Sequence, residues 1–394
     1  MTQRLTLYRQ IALFPVSAAL LAFQVALLQI LATSQWHHFA YLVISIALLG
    51  FGVAGTALAL ARGWILARAS LLLPLLLCAC AVTLAGSLSF IESLFGSFDS
   101  YLLFVNPGEA LRLAASALVL MLPFTCGALA IGIIFTSGAE QIGRHYFANM
   151  LGSGIGCALG LAGLANLPAA LLPPLCGLLA LLSAVALLPG SKNSVRGCVL
   201  LSLAGVTFFL FVRPGITLSQ YKDLRKTLDL PGAEIIVEEP STFGQLHIVT
   251  APVLRSATAL SLLWQGEMPS SPAVFINGDM LGSIPSVIGR KNPMNATTSA
   301  LPFALASPER ILVLNAGTAQ HVALALGHGA EEIVAVEPHR VLLRELSKLA
   351  SGQNASVFTS ERVTWHSEAS RTWLARDTTR YDLIMLPDIG SSGG

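Results

Sequence analysis

The chain has 394 residues, of which 54% are hydrophobic and 11% charged, against roughly 25% charged in an ordinary soluble domain. That balance excludes a protein solvated by water alone. A net charge of +2, with no basic run interleaved with aromatics, excludes a nucleic-acid partner.

Most of the charge follows Arg213, and Leu, Ala, Gly and Val dominate before it. The chain therefore divides into a multi-pass membrane helical domain (1–213), a polar linker (214–232), a small β subdomain (233–300) and an α/β domain (301–394). A bilayer core of about 30 Å takes about 20 apolar residues per helix. Seven stretches near 11–33, 39–61, 66–88, 112–136, 146–166, 168–189 and 197–212 are read as spans. The first is followed by further spans rather than a cleavage site and a polar mature chain, so it is retained.

Lys and Arg in short loops mark the cytoplasmic side. Arg4 and Arg9 precede the first span, Arg62 and Arg68 follow the second, and Lys192 and Arg196 follow the sixth, which places the N-terminus in the cytoplasm. The soluble domain, if it uses a metabolite made in the cell, is expected on the cytoplasmic face of the cell (inner) membrane as well. Both placements together need an even number of crossings. The apolar segment Ser89–Val105, which carries Glu92 and Asp99, is where an additional span would lie.

No Asp, Glu, Lys or Arg falls mid-span, which disfavours an ion-coupled transporter. Trp36, His37, His38, Glu140, Arg144 and His145 read as interfacial anchors. Gly152, Gly156 and Gly160 recur four apart, leaving one helix face bare for close packing. All six cysteines (Cys78, Cys80, Cys126, Cys157, Cys176, Cys198) sit in apolar stretches and read as small packing residues.

In the soluble half, Ala233–Val237, Gly244–Thr250 and Ala273–Ile276 read as short strands broken by turns at Glu239-Pro240 and Asn277-Gly278. From Arg310 the pattern changes. ILVLNAG is an apolar strand ending in a Gly-containing turn, TAQHVALALGHG a helix, and EIVAVE, VTWHS and YDLIMLP further strands. Continuous apolar strands alternating with helices indicate a doubly wound parallel sheet. Ligands of such sheets bind beyond the carboxyl ends of the strands, with an acid about 20 residues after the glycine turn taking ribose hydroxyls. Gly317 and Glu337 have that spacing. The turn Asn315-Ala316-Gly317-Thr318-Ala319 has one glycine rather than three, which favours a single nucleoside such as S-adenosylmethionine, or its decarboxylated form, over a dinucleotide. His247, His321, His339 and His366 show no metal-ligand spacing, and no metal is expected.

The order of a β subdomain, LPFALASPERILVLNAG, VAVEPH, ERVTWHSEASRTWL and RYDLIMLPDIGSSGG resembles the spermidine synthase family of aminopropyltransferases. The glycine-rich HYFANMLGSGIG helix and the helical half resemble that family's multi-pass membrane-fused members. The resemblance implies a Rossmann-like, methyltransferase-like fold and aminopropyl transfer from decarboxylated S-adenosylmethionine to an amine acceptor. It assigns Asn315, Gly317 and Thr318 to the nucleoside loop, Glu337 to the ribose and Glu368 to the adenine, with Ala369 in the adjacent register.

Departures gather at the amine end. Pro387 stands where the family has its first acid, leaving Asp388 as the local carboxylate to hold and deprotonate the amine. Gly244 stands where the family has a Gln, with Gln245 beside it, and Lys291–Leu301 has no Tyr-His-Glu cluster. Further strands usually follow the fourth, so the sheet is expected to be incomplete at Gly394. Methyl transfer from S-adenosylmethionine, and a non-catalytic transporter or sensor with a nucleoside-binding domain, stay open beside aminopropyl transfer. The expected partners are the lipid bilayer and a small-molecule amine or other acceptor, with self-association into a homo-oligomer open.

Overall fold

The computed structural model describes residues 2–35, 38–95, 98–189, 191–212, 215–257, 259–289, 291–350 and 356–387. The chain forms two compact units, Met1–Ser219 and Gln220–Gly394.

The first unit consists of helices α1 (Thr2–Ser34), α2 (His38–Leu60), the short α3 (Arg62–Ala67), α4 (Ala69–Phe95), α5 (Pro107–Ser137), α6 (Ile142–Asn166), α7 (Leu172–Ala186) and α8 (Asn193–Val212). All but α3, with the single 3-10 turns that lead into α6 and α7, are long and apolar enough to cross a membrane. Seven such helices are the framework of a multi-pass membrane protein.

Among its described residues, the segment Ser89–Val105 adds no further span. It continues α4 to Phe95 and then makes one 3-10 turn at Ser100–Leu102. Of its two acids, Glu92 accepts from Thr217 Oγ1 at 3.4 Å and Asp99 caps the 3-10 turn. Asp99 accepts from Tyr101 N at 2.9 Å. Buried Glu109 accepts from Asp99 N at 3.1 Å and pairs with Arg112 at 2.7 Å. Asn106 caps α5 through Gly108 N at 3.0 Å, with Pro107 in the first helical turn, where its missing N–H costs nothing.

Close contacts fix the helix directions. Ideal Cβ atoms on Gly152, Gly156 and Gly160 would run into Phe14, Ala18 and Ala22 in the same order, so α6 lies parallel to α1. Gly50 meets Phe124 while Gly132 meets Leu58, so α2 and α5 are parallel. Gly127 against Leu20 and Ser137 against Arg9 make α5 antiparallel to α1. Gly86 against Phe209 and Gly205 against Val82 make α4 and α8 parallel. Ile30, Leu88 and Ala169 cluster with Leu164 and Ile216, bringing the ends of α1, α4 and α6 to the start of α7 and the chain beyond α8. Ser219 N donates to Ser34 O at 2.8 Å. The seven helices alternate, and the chain leaves the bundle at the face opposite the one where α1 begins.

Seven is an odd number of apolar helices, whereas the two cytoplasmic placements expected from the sequence together call for an even number of crossings. One correction concerns His145, read as an interfacial anchor. It is buried, its ring 6.5 Å from that of Phe135 and so close to Gly138 that a Cβ there would strike it, whereas Glu140 and Arg144 are exposed.

In the second unit the segment taken as linker contains α9 (Asp223–Leu228), tied down by Leu224 N donating to Gly278 O at 2.9 Å. Strands β1 (Glu234–Ser241), β2 (Gly244–Thr250), β3 (Ala273–Ile276) and β4 (Asp279–Ser283) form an antiparallel sheet in that order. Glu239-Pro240, read as a turn, lies inside β1, paired with Leu246 and Gln245. The proline is tolerated because β1 is an edge strand. Asn277-Gly278 is the two-residue hairpin turn between β3 and β4, both residues with positive φ (54° and 81°).

After α10 (Leu301–Leu305) come β5 (Arg310–Leu314), α11 (Gln320–Gly327), β6 (Glu332–Val336), α12 (Arg340–Ala350), β7 (Val363–His366), α13 (Ser370–Leu374) and β8 (Leu383–Met385). Their four strands form a parallel sheet ordered β7-β6-β5-β8. Alternation assigns its faces. Ile311, Val313, Ile333 and Ala335 pack against Val322, Ala323 and Leu326 of α11, and Leu312, Leu314, Val334 and Val336 against Trp373 and Tyr381. Both faces are covered, so these strands lack polar alternation. Leu342 and Leu346 of α12 pack against Leu246, Ile248 and Val274 of the antiparallel sheet.

Candidate nucleoside site

The strand order reverses between β5 and β8, and the crevice beyond their carboxyl ends is where parallel sheets receive ligands. The loop leaving β5 lies there. Asn315, Gly317 and Ala319 all have positive φ (51°, 55° and 70°), so the five-residue turn is far from extended backbone, and Asn and Gly are the residues that enter this region at least cost.

Glu337, the first residue after β6, closes the turn. Its Oε2 accepts from Gly317 N at 2.7 Å and its Oε1 from His339 N at 2.9 Å. Glu337 is 5% exposed. Backbone N–H donors on both oxygens fix the direction of the carboxylate. The structure therefore brings Gly317 and Glu337 into direct contact. Asn315 Oδ1 accepts from Ser370 Oγ at 2.7 Å, joining the loop to the start of α13.

The remaining residues assigned from the sequence stand differently. Thr318 is buried against β4, where a Cβ on Gly282 would approach its Oγ1 to 3.1 Å. Two residues on, Gln320 Nε2 donates to Ser283 O at 2.9 Å. Glu368 forms an ion pair with Arg376, and Ala369 begins α13 as its N-cap. Asp388 lies outside the described residues. Gln245 reaches Glu238 at 3.4 Å. Beside it, Gly244 has φ +122°, and a Cβ there would fall 2.1 Å from Asn277 Oδ1, so the turn geometry requires glycine at this position.

Sequence reading missed His339. Its buried ring accepts Leu342 N on Nδ1 at 3.1 Å, which caps α12 and leaves the proton on Nε2, 3.2 Å from Ser241 Oγ. Phe243 stacks on the ring with centroids 5.0 Å apart. Burial pulls the His339 pKa down to about 4, consistent with a neutral ring. His321 is likewise lowered by burial, 3.2 Å from Ser299 Oγ. His247 is lowered by burial against the opposing pull of Glu238, 3.7 Å away. Among the described residues no three His, Cys, Asp or Glu side chains gather as a metal site.

No family model, curated protein or solved structure matches this chain.

Proposed function

We propose that the second unit is a Rossmann-like nucleoside-binding module of the aminopropyltransferase type, carried on a membrane bundle. The observation that supports this most is the bond between Glu337 and Gly317 N, which sets a ribose-binding type of acid against a tight, positive-φ loop at the sheet's switch point. The ligand is an S-adenosyl nucleoside, with its ribose at Glu337 and the loop Asn315–Thr318 beside it. Glu368 and Ala369 are assigned to the adenine side.

In the transfer reaction an uncharged amine attacks the methylene beside the sulfonium of decarboxylated S-adenosylmethionine. The new C–N bond forms as the C–S bond breaks, its electron pair neutralising sulfur, and the ammonium product releases a proton. Asp388 is the residue assigned to hold the amine and take that proton. Full-length protein in detergent, given decarboxylated S-adenosylmethionine and putrescine, is expected to release methylthioadenosine and spermidine, with Glu337→Gln weakening nucleoside affinity at least tenfold. Nucleoside binding without product would confine the function to recognition, preference for the carboxylated nucleoside would move the reaction to methyl transfer, and no binding of either form would sink the proposal.

A second reading, a non-catalytic sensor, is favoured by one observation. Among the described residues of the bundle, Arg4, Arg9, Arg62, Arg68, Arg144, Lys192 and Arg196 lie toward the face where α1 begins, and Arg112 alone toward the other. By the positive-inside rule the first face is cytoplasmic, and the second unit then follows α8 on the outside, away from the cell's sulfonium pool. The transfer reading needs the reverse orientation.

A further inference from the structure

We propose that His339 is a positioning residue that fastens the β1–β2 turn to the nucleoside rim, so that the small antiparallel sheet and the loop Asn315–Ala319 move as one body. This rests on the nucleoside reading for its ligand, though not for its geometry.

The chain of contacts is continuous. Gly317 N donates to Glu337 Oε2, and Glu337 Oε1 accepts from His339 N. The His339 ring reaches Ser241 Oγ at 3.2 Å and stacks on Phe243. Ser241 has no capacity left over: Oγ donates to Gly244 O at 2.7 Å and accepts Phe243 N at 3.1 Å, so its remaining lone pair takes the imidazole N–H. The tautomer is dictated by Leu342 N, which needs Nδ1 as an acceptor. A side chain that only capped α12 would need one acceptor and no ring. His339 supplies both, and its second nitrogen and its ring face are spent on the turn. Phe243 keeps about half its surface exposed (48%), so the turn presents an apolar ring next to the residues that hold the loop.

The test uses full-length protein and a double-mutant cycle between His339→Asn, which keeps an acceptor for Leu342 N but cannot reach Ser241, and Ser241→Ala. Each single variant is expected to raise amide exchange both at 241–244 and at 315–319 while leaving 342–346 protected, and to weaken binding of decarboxylated S-adenosylmethionine about fivefold. The double variant is expected to fall short of the sum of the two single effects, the signature of a shared interaction. Effects that add, or exchange at 315–319 unchanged in His339→Asn, would overturn the assignment. If the wild type binds no nucleoside, the nucleoside reading fails by itself. The exchange measurement then decides this inference alone, coupled loosening of the two segments supporting it and independent behaviour ending it.

Discussion

At the scale of single residues, Glu337 and His339 show two ways in which a polar group becomes tolerable in an apolar sheet. Glu337 has each carboxylate oxygen met by a backbone N–H group. His339 remains neutral because burial penalises its cation and pulls its pKa to about 4, against an ordinary 6.5. The unfolded chain takes up the proton first, so the stability His339 contributes is complete above pH 6.5 and is lost as pH falls toward 4, on the order of 3 kcal/mol in all. His247 and His321, also lowered, act in the same direction. The difference between wild type and His339→Asn isolates the one residue: protection of α12 amides, taken relative to their intrinsic exchange rates, is expected to fall more from pH 7 to 4.5 in the wild type than in the variant. An equal fall would show that His339 does not titrate with unfolding. The spacing of Gly317 and Glu337 was readable in the sequence because a loop and an acid at successive strand ends recur about 20 residues apart. His339 was not, since its partners Ser241 and Phe243 lie almost a hundred residues away.

At the scale of elements, the α1–α6 pair depends on absent side chains. An ideal Cβ on Gly156 would sit 2.2 Å from the Ala18 carbonyl oxygen, and one on Gly152 2.5 Å from that of Phe14, whereas one on Gly154 meets nothing within 4 Å. Backbone approach of this kind replaces the hydrophobic driving force that lipid-solvated helices lack. Gly156→Ala is therefore expected to lower the detergent-solubilised protein's melting temperature by several degrees, and Gly154→Ala to leave it within about a degree. A loss of similar size in both would reduce the contrast to helix propensity. The four-residue glycine spacing was visible in the sequence and its packing role was drawn from it. That its partner is α1, and parallel, depends on which helix stands next to it. The same limit explains the misread Glu239-Pro240. The pair has turn composition, but its place at the sheet edge lets β1 run through it.

At the scale of the whole molecule, alternation of seven helices separates the two ends of the bundle. Reporter fusions before α1 and after Ser219, one active only in the cytoplasm and one only outside, are expected to give opposite signals. Matching signals would mean that one of the seven helices does not cross. The absolute sense of the result separates transferase from sensor: activity of the cytoplasmic reporter after Ser219 supports transfer from the cell's own nucleoside pool, and activity of the outside reporter supports recognition alone.

The sequence by itself determined the division into an apolar helical half and an α/β half, the seven apolar helices, the four parallel strands and the spacing of Gly317 and Glu337. These follow from composition, span length and periodicity, which are local along the chain. Only the tertiary structure decided that α4 runs on to Phe95 and that Asp99 caps a 3-10 turn, that the bundle ends on the face opposite its start, that Thr318 and His145 are buried, and that His339 ties the small sheet to the loop. Each of these depends on which distant backbone supplies a hydrogen bond or fills a space, and no window of sequence contains that partner.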